Sequence, residues 1–205
     1  MKKIPVKIVQ YTMNGKVRKN VMLDMLDAHE IKGDVEKKVD DFKQKYFGTV
    51  EKALKIMPQD KKERKASHFW KVGRLLYNFN KSTENEFEIT NYNQAIIRDF
   101  GLYDRSHVGH TIQFGEFFNK NDISDSIPMS TYLELIWKAN VLKNSGQFEK
   151  EKKRLLKMSK DNTLLPHKKY REELNQLTTF FEQKVKNNSK KNSINKKSGV
   201  QKRSL

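Results

Sequence analysis

Cysteine is absent from the 205 residues. Disulfides, thiolate zinc sites and a cysteine nucleophile are thereby excluded, and the absence agrees with a cytoplasmic location. Long apolar runs are missing too. No stretch approaches the roughly 18–20 residues that a membrane span needs. The N-terminal MKKIPVKIVQY is basic but lacks the apolar run of a secretion signal. A soluble, cytoplasmic protein without a membrane partner is expected. Hydrophobic residues make up only 36% and charged ones 33%, so the core must be modest and much of the charge must lie on solvated helix faces or in tails. No internal repeat is visible.

Acid is scarce beside base. There are 25 Asp and Glu against 42 Lys and Arg, a formal charge of +17. Such an excess argues about partners, not fold. A polyanion releases counterions when these groups bind it, which makes nucleic acid the first expected partner.

What is present reads mostly as helix. Asn14-Gly15 lies between two partly alternating apolar stretches, a hairpin signal, with Val6, Ile8, Val17 and Val21 able to share one face. A lone hairpin is marginal, so it must pack on the helical body or dimerise. Residues 34–57 read as a helix capped by Asp34, with Val35, Val39, Phe42 and Tyr46 at helical spacing, a break or bend near Gly48, and Pro58 as its end. The most apolar segment is 60–80, where Ala66, Phe69, Trp70, Gly73, Leu76 and Tyr77 share a face widened by Val72 and Phe79. Gly73, central on it, predicts close approach of another helix.

Residues 81–89 read as a polar loop. Thr90 or Asn91 then caps a short helix that carries Ala95, Ile96 and Phe100 inward, with Gly101 at its C′ position. Asp104 caps a second helix to about Phe118. Two helices around a tight glycine turn outline a helix-turn-helix. Further helices follow from Ser130 (Tyr132, Leu133, Leu135, Ile136, Trp137, Leu142 apolar), over 147–160, and over 167–184 with the stripe Tyr170, Leu174, Leu177, Phe180, Phe181. From Lys184 on the chain has eight basic residues and no acid, a composition expected to stay disordered. The expected layout is an arm over 1–33, one all-α multi-helix domain over 34–184 and a basic tail over 185–205.

On the helix 104–118, Val108, Thr111, Gly115 and Phe118 cluster on one face and seek the core. Arg105, Ser106, Gly109, His110 and Gln113 lie on or beside the opposite face. Such polar groups reach base edges or phosphates, and glycine permits close backbone approach. Glu116 on this face would repel phosphate. In the tail, Lys190, Lys191, Lys196, Lys197, Lys202 and Arg203 are expected to add sequence-independent phosphate contacts. Trp70, Trp137, Phe69 and Tyr77 read as core by their periodicity.

No catalytic chemistry is expected. P-loop, Gly-x-Ser-x-Gly and dinucleotide signatures are missing. A metal nuclease of the PD-(D/E)xK type needs an acid on one strand and Glu-x-Lys on the next. Glu182-Gln183-Lys184 and Glu151-Lys152-Lys153 have the triplet, but in helical, charge-dense segments. His107 and His110 are three apart on one helix but lack a third ligand, so no metal and no cofactor is expected.

Three blocks resemble the helical N-terminal domain of the YhcG-like PD-(D/E)xK nuclease family. Phe69-Trp70-Lys71-Val72-Gly73-Arg74-Leu75-Leu76 is similar to its aromatic-Trp-x-(Ile/Val)-Gly-Arg helix. Tyr103-Asp104-Arg105-Ser106-His107-Val108 with Gln113-Phe114 is similar to its aromatic-Ser-Arg-Ser-Asn-Leu…Gln-Phe helix. Tyr132-Leu133-Glu134-Leu135, then Phe148 to Leu174, resembles its closing helices. The likeness covers about residues 62–177. It implies a helical DNA-recognition domain, with the chain ending where the family's nuclease domain would begin. The favoured expectation is a non-catalytic protein binding duplex DNA. The alternatives are an RNA- or ribosome-binding protein, or an adaptor that recruits a separate nuclease. A homodimer stays open.

Overall fold

The computed structural model describes residues 3–24, 33–102 and 105–198, with side chains given for these except 33 and 185–198. The protein is mostly helical, with a small sheet at its N-terminal end. It divides into two compact units, Met1–Asp125 and Ser126–Leu205. The division falls inside the segment expected as one helical domain.

In the first unit, β1 (Ile4–Met13) and β2 (Lys16–Leu23) form the expected antiparallel hairpin. Asn14 and Gly15 both take positive φ, 51° and 71°, as a turn that matches strand twist requires. Val6 pairs with Leu23, Ile8 with Val21 and Thr12 with Val17, so the four expected valine and isoleucine side chains do share a face. Val6, Ile8 and Val21 are buried, whereas Val17 is exposed near the tip.

The hairpin is not left alone. A third strand, β3 (Phe87–Ile89), pairs parallel with Ile4–Val6, which corrects the polar loop expected over 81–89. The alternation Glu86-Phe87-Glu88-Ile89 is too short to stand out, and its partner lies about 80 residues away in sequence. Beyond β3 the side chain of Asn91 takes over as a surrogate peptide. Its Oδ1 accepts from Ile8 N at 3.0 Å and its Nδ2 donates to Ile8 O at 2.7 Å. Asn91 therefore flanks the next helix without capping it through its side chain.

α1 (Gly33–Ile56) runs straight through Gly48, so no break occurs there. It has Asp34 and Glu36 in its first turn and Lys55 in its last, charges that oppose the helix dipole. Its Phe42 meets Phe87 of β3 at 4.7 Å and Phe79 at 5.6 Å. This aromatic cluster fixes the sheet on the helices. α2 (Ala66–Thr83) carries Phe79, extends past the expected end at 80, and buries Ala66, Phe69, Val72, Gly73 and Leu76. α3 (Tyr92–Phe100) stops at Gly101, which is left-handed at φ 62°. α4 (Arg105–Phe117) follows. The expected cap Asp104 lies outside the described residues.

The second unit contains α5 (Met129–Trp137), α6 (Ala139–Asn144), α7 (Phe148–Lys160) and α8 (His167–Ser198). α5 starts one residue before the expected cap Ser130, directly after Pro128. Tyr132, Leu135, Leu142, Phe148, Leu155, Tyr170 and Leu174 make its core. Trp137 corrects the inward placement expected for it, because it is 50% exposed at the last position of α5. Phe180 is likewise exposed. The backbone of α8 stays helical across the tail boundary expected at 184/185 and on to Ser198. Elongating an existing helix needs no buried surface, and neither proline nor glycine occurs between 185 and Gly199. Residues 199–205 lie outside the described set.

Candidate nucleic-acid interface

α4 is held by an unusually close crossing with α2. A Cβ on Gly73 would overlap the Thr111 carbonyl oxygen, and one on Gly115 would overlap the Gly73 backbone. Trp70 Nε1 donates to Phe118 O at 2.8 Å, and Arg74 Nη1 donates to Gly115 O at 3.0 Å. Trp70, Gly73 and Arg74, the residues that give the first block its distinctive look, thus build a helix–helix joint. Val108, Thr111, Phe114, Gly115 and Phe118 are buried. His107 stands edge-on to Phe69 at 5.2 Å, a core-edge histidine.

The other side of α4 is open. Arg105, Ser106, Gly109 and Gln113 are exposed and His110 is half-buried. Nothing lies within 4 Å of a Cβ built on Gly109. Arg105 also borders an open cleft formed with Thr90, Asn93, Gln94 and Ile97 at the start of α3. The cleft lining presents hydroxyl, amide and guanidinium groups and no carboxylate. Glu116 is exposed on the same helix, 11 residues from Arg105 and hence about 16 Å further along the axis. The corner between α3 and α4 is secured by Arg64, whose Nη1 donates to Gly101 O at 2.9 Å.

Charge is divided unevenly. The second unit holds 19 of the 42 basic residues but 7 of the 25 acidic ones, a net +12, leaving +5 on the first. Several cations are internally neutralised. Asp99, fully buried, takes Arg98 Nε at 2.7 Å, Lys19 Nζ at 2.8 Å and the Tyr46 hydroxyl at 2.9 Å. Burial pushes its carboxyl up, but the Arg98, Lys19 and Tyr46 hydrogen bonds outweigh this and hold it below the usual value. Burial and the Asp99 charge push the Tyr46 phenol strongly up. In the second unit, buried Glu134 pairs with Arg171 at 2.5 Å and lies 3.0 Å from His167 Nε2, which has no hydrogen-bond geometry. Arg154 joins Glu151 and Glu173.

Cations without ion pairs among the described residues remain on α7. Lys150, Lys153, Lys157 and Lys160 are all exposed. At 100° per residue they span about 80° of arc, one stripe along the helix. Sequence reasoning placed the helix but passed over this stripe, although the 3-4-3 spacing was legible.

Of the expected tail contacts, Lys190, Lys191, Lys196 and Lys197 have backbone within α8 but side chains outside the described set, and Lys202 and Arg203 lie wholly outside it. Among the described residues no three His, Asp or Glu form a metal-holding group. No helix among them is long and apolar enough to cross a membrane. No family model, curated protein or solved structure matches the chain.

Proposed function

We propose that the protein binds duplex DNA without catalysing a reaction, reading it with the open face of α4. The observation that carries this is the two-sidedness of α4: one face is locked into the core, and the face with Arg105, Ser106, Gly109 and Gln113 is solvent-exposed. Thirteen residues give a rod about 20 Å long, and an α-helix fits the B-form major groove. The deep, narrow major groove of duplex RNA does not admit one, so DNA is favoured over RNA. Arg105 at the start of the helix suits a base edge or phosphate, since recognition helices meet bases mainly through their N-terminal residues. Glu116 sits toward the other end, where it would limit how much of the helix engages. The lysine stripe of α7 would supply phosphate contacts of its own. The resemblance to the helical domain of the YhcG-like nucleases belongs to the same proposal, as does the absence of chemistry.

Titration of a labelled random duplex across a salt series tests it. The expected log–log slope is about −0.9 per phosphate neutralised. Arg105→Ala with Gln113→Ala should weaken duplex binding about tenfold or more, in line with roughly 1–3 kcal/mol per good base contact. Glu116→Gln should tighten it. Salt-independent binding, or full affinity in the double variant, would defeat the proposal and favour a protein-recruiting adaptor.

A further inference from the structure

The outer face of the β1–β2 ribbon is a second, separate surface. Alternation along β1 puts Lys7, Val9, Tyr11 and Met13 on the side opposite buried Val6 and Ile8. Their direct partners on β2 are Met22, Asn20, Arg18 and Lys16. Tyr11 is 45% exposed, Met13 56% and Met22 53%. Three of the seven large apolar side chains exposed among the described residues, Tyr11, Met13 and Met22, lie on this one face, so the exposure is a patch and not scatter.

The patch is interleaved with positive charge that no described residue neutralises. Lys7, Lys16 and Arg18 are exposed and make no ion pair among the described residues. Lys19, one residue on and facing inward, is instead bound to Asp99. No acidic residue occurs from Lys3 to Leu23. The carboxylates that share this face are Asp24, two residues beyond Met22 and bonded through its N–H to Pro5 O, and Glu88, also level with Pro5. Both lie at the end of the ribbon, about 20 Å from Tyr11 along the strand.

We infer that this face binds single-stranded nucleic acid, with an unpaired base stacked on Tyr11 and Arg18 and neighbouring phosphates held by Lys7 and Lys16. Tyr11 and Arg18 are cross-strand partners, so a phenol and a guanidinium plane stand side by side, the two groups on which unpaired bases stack. A duplex keeps its bases stacked on one another, so even a ribbon lying in the major groove meets base edges only and gives Tyr11 no open base face. A single strand offers a flat apolar base and an anionic backbone at once. The ribbon from Lys7 to Met13 spans about 20 Å, room for roughly three nucleotides. The inference does not depend on α4, because no residue is shared.

The test uses the full chain and two probes in polarisation titrations, a labelled 12-nucleotide oligo(dT) and a labelled duplex. Tyr11→Ser should weaken oligo(dT) binding about tenfold, within the range for removal of one aromatic–base stack, while Tyr11→Phe keeps it. Arg18→Gln, on a side chain with no ion-pair partner to strand, should weaken it several-fold through loss of the guanidinium stacking plane. Both should leave duplex affinity unchanged, whereas Arg105→Ala with Gln113→Ala should do the reverse. Unchanged oligo(dT) affinity in Tyr11→Ser and Arg18→Gln would overturn the inference. So would an equal weakening in Tyr11→Phe, or binding to phosphatidylserine vesicles that vanishes in Tyr11→Ser while oligo(dT) binding persists.

Discussion

Asp99 is the most consequential single residue for the first unit. It ties β2, α1 and α3 together through Lys19, Tyr46 and Arg98. Removing its charge leaves a half-buried lysine and a buried phenol without their anionic acceptor. Asp99→Asn should cost about 3–5 kcal/mol, read as a fall in urea midpoint at unchanged slope. Its carboxyl is held below the ordinary 3.8. The stabilisation is therefore complete above the unfolded value and is lost as pH falls through the lower, folded one. Acid unfolding should consequently begin at higher pH in Asp99→Asn than in the parent, as followed by circular dichroism. Sequence inspection shows an Arg98-Asp99 pair on a helix that needs its inner face apolar. It does not show that Lys19 reaches the same carboxylate, because register and strand placement bring residues 80 positions apart together.

At the scale of elements, the α2–α4 crossing decides where the open face of α4 points. Gly73→Ala forces a methyl onto the Thr111 carbonyl. Backbone cannot yield like a flexible side-chain end, so a destabilisation of about 3 kcal/mol is expected, the upper part of the overpacking range. Gly109→Ala faces open space and should raise stability by about 0.5–1 kcal/mol. Thermal melts of the two variants should move in opposite directions, and equal shifts would contradict the crossing. Gly73 advertised a close approach in the sequence because it sits mid-face in an apolar helix. Its partner Gly115 was legible only as a core position. The period of α4 separated Val108 and Thr111 from Ser106 and Gln113 correctly, since both faces are encoded within one helix. β3 was missed for the opposite reason: three residues carry no usable period, and their strand character is conferred by Ile4–Val6.

For the whole molecule, net charge is a poor guide to usable charge. Lys19, Arg98, Arg154 and Arg171 are all engaged with buried or half-buried carboxylates, and their attraction to a polyanion is correspondingly diminished. The α7 stripe is not so engaged. Replacing Lys150, Lys153, Lys157 and Lys160 with glutamine should make the salt slope of duplex binding less steep by about 0.9 for each phosphate no longer neutralised. These side chains are exposed, so the melting temperature should hardly change. A parent-like slope would show that α7 takes no part in DNA binding.

Composition and periodicity alone determined the helical class, the Asn14-Gly15 turn, the Gly101 stop and the two faces of α4, because each is written in neighbouring residues and short-range sterics. Tertiary structure alone decided which lysines are neutralised, that Asn91 finishes the edge of a sheet, and that Trp137 emerges into solvent. Those outcomes depend on distant partners, or on what a helix meets beyond its own period, and a local pattern carries neither.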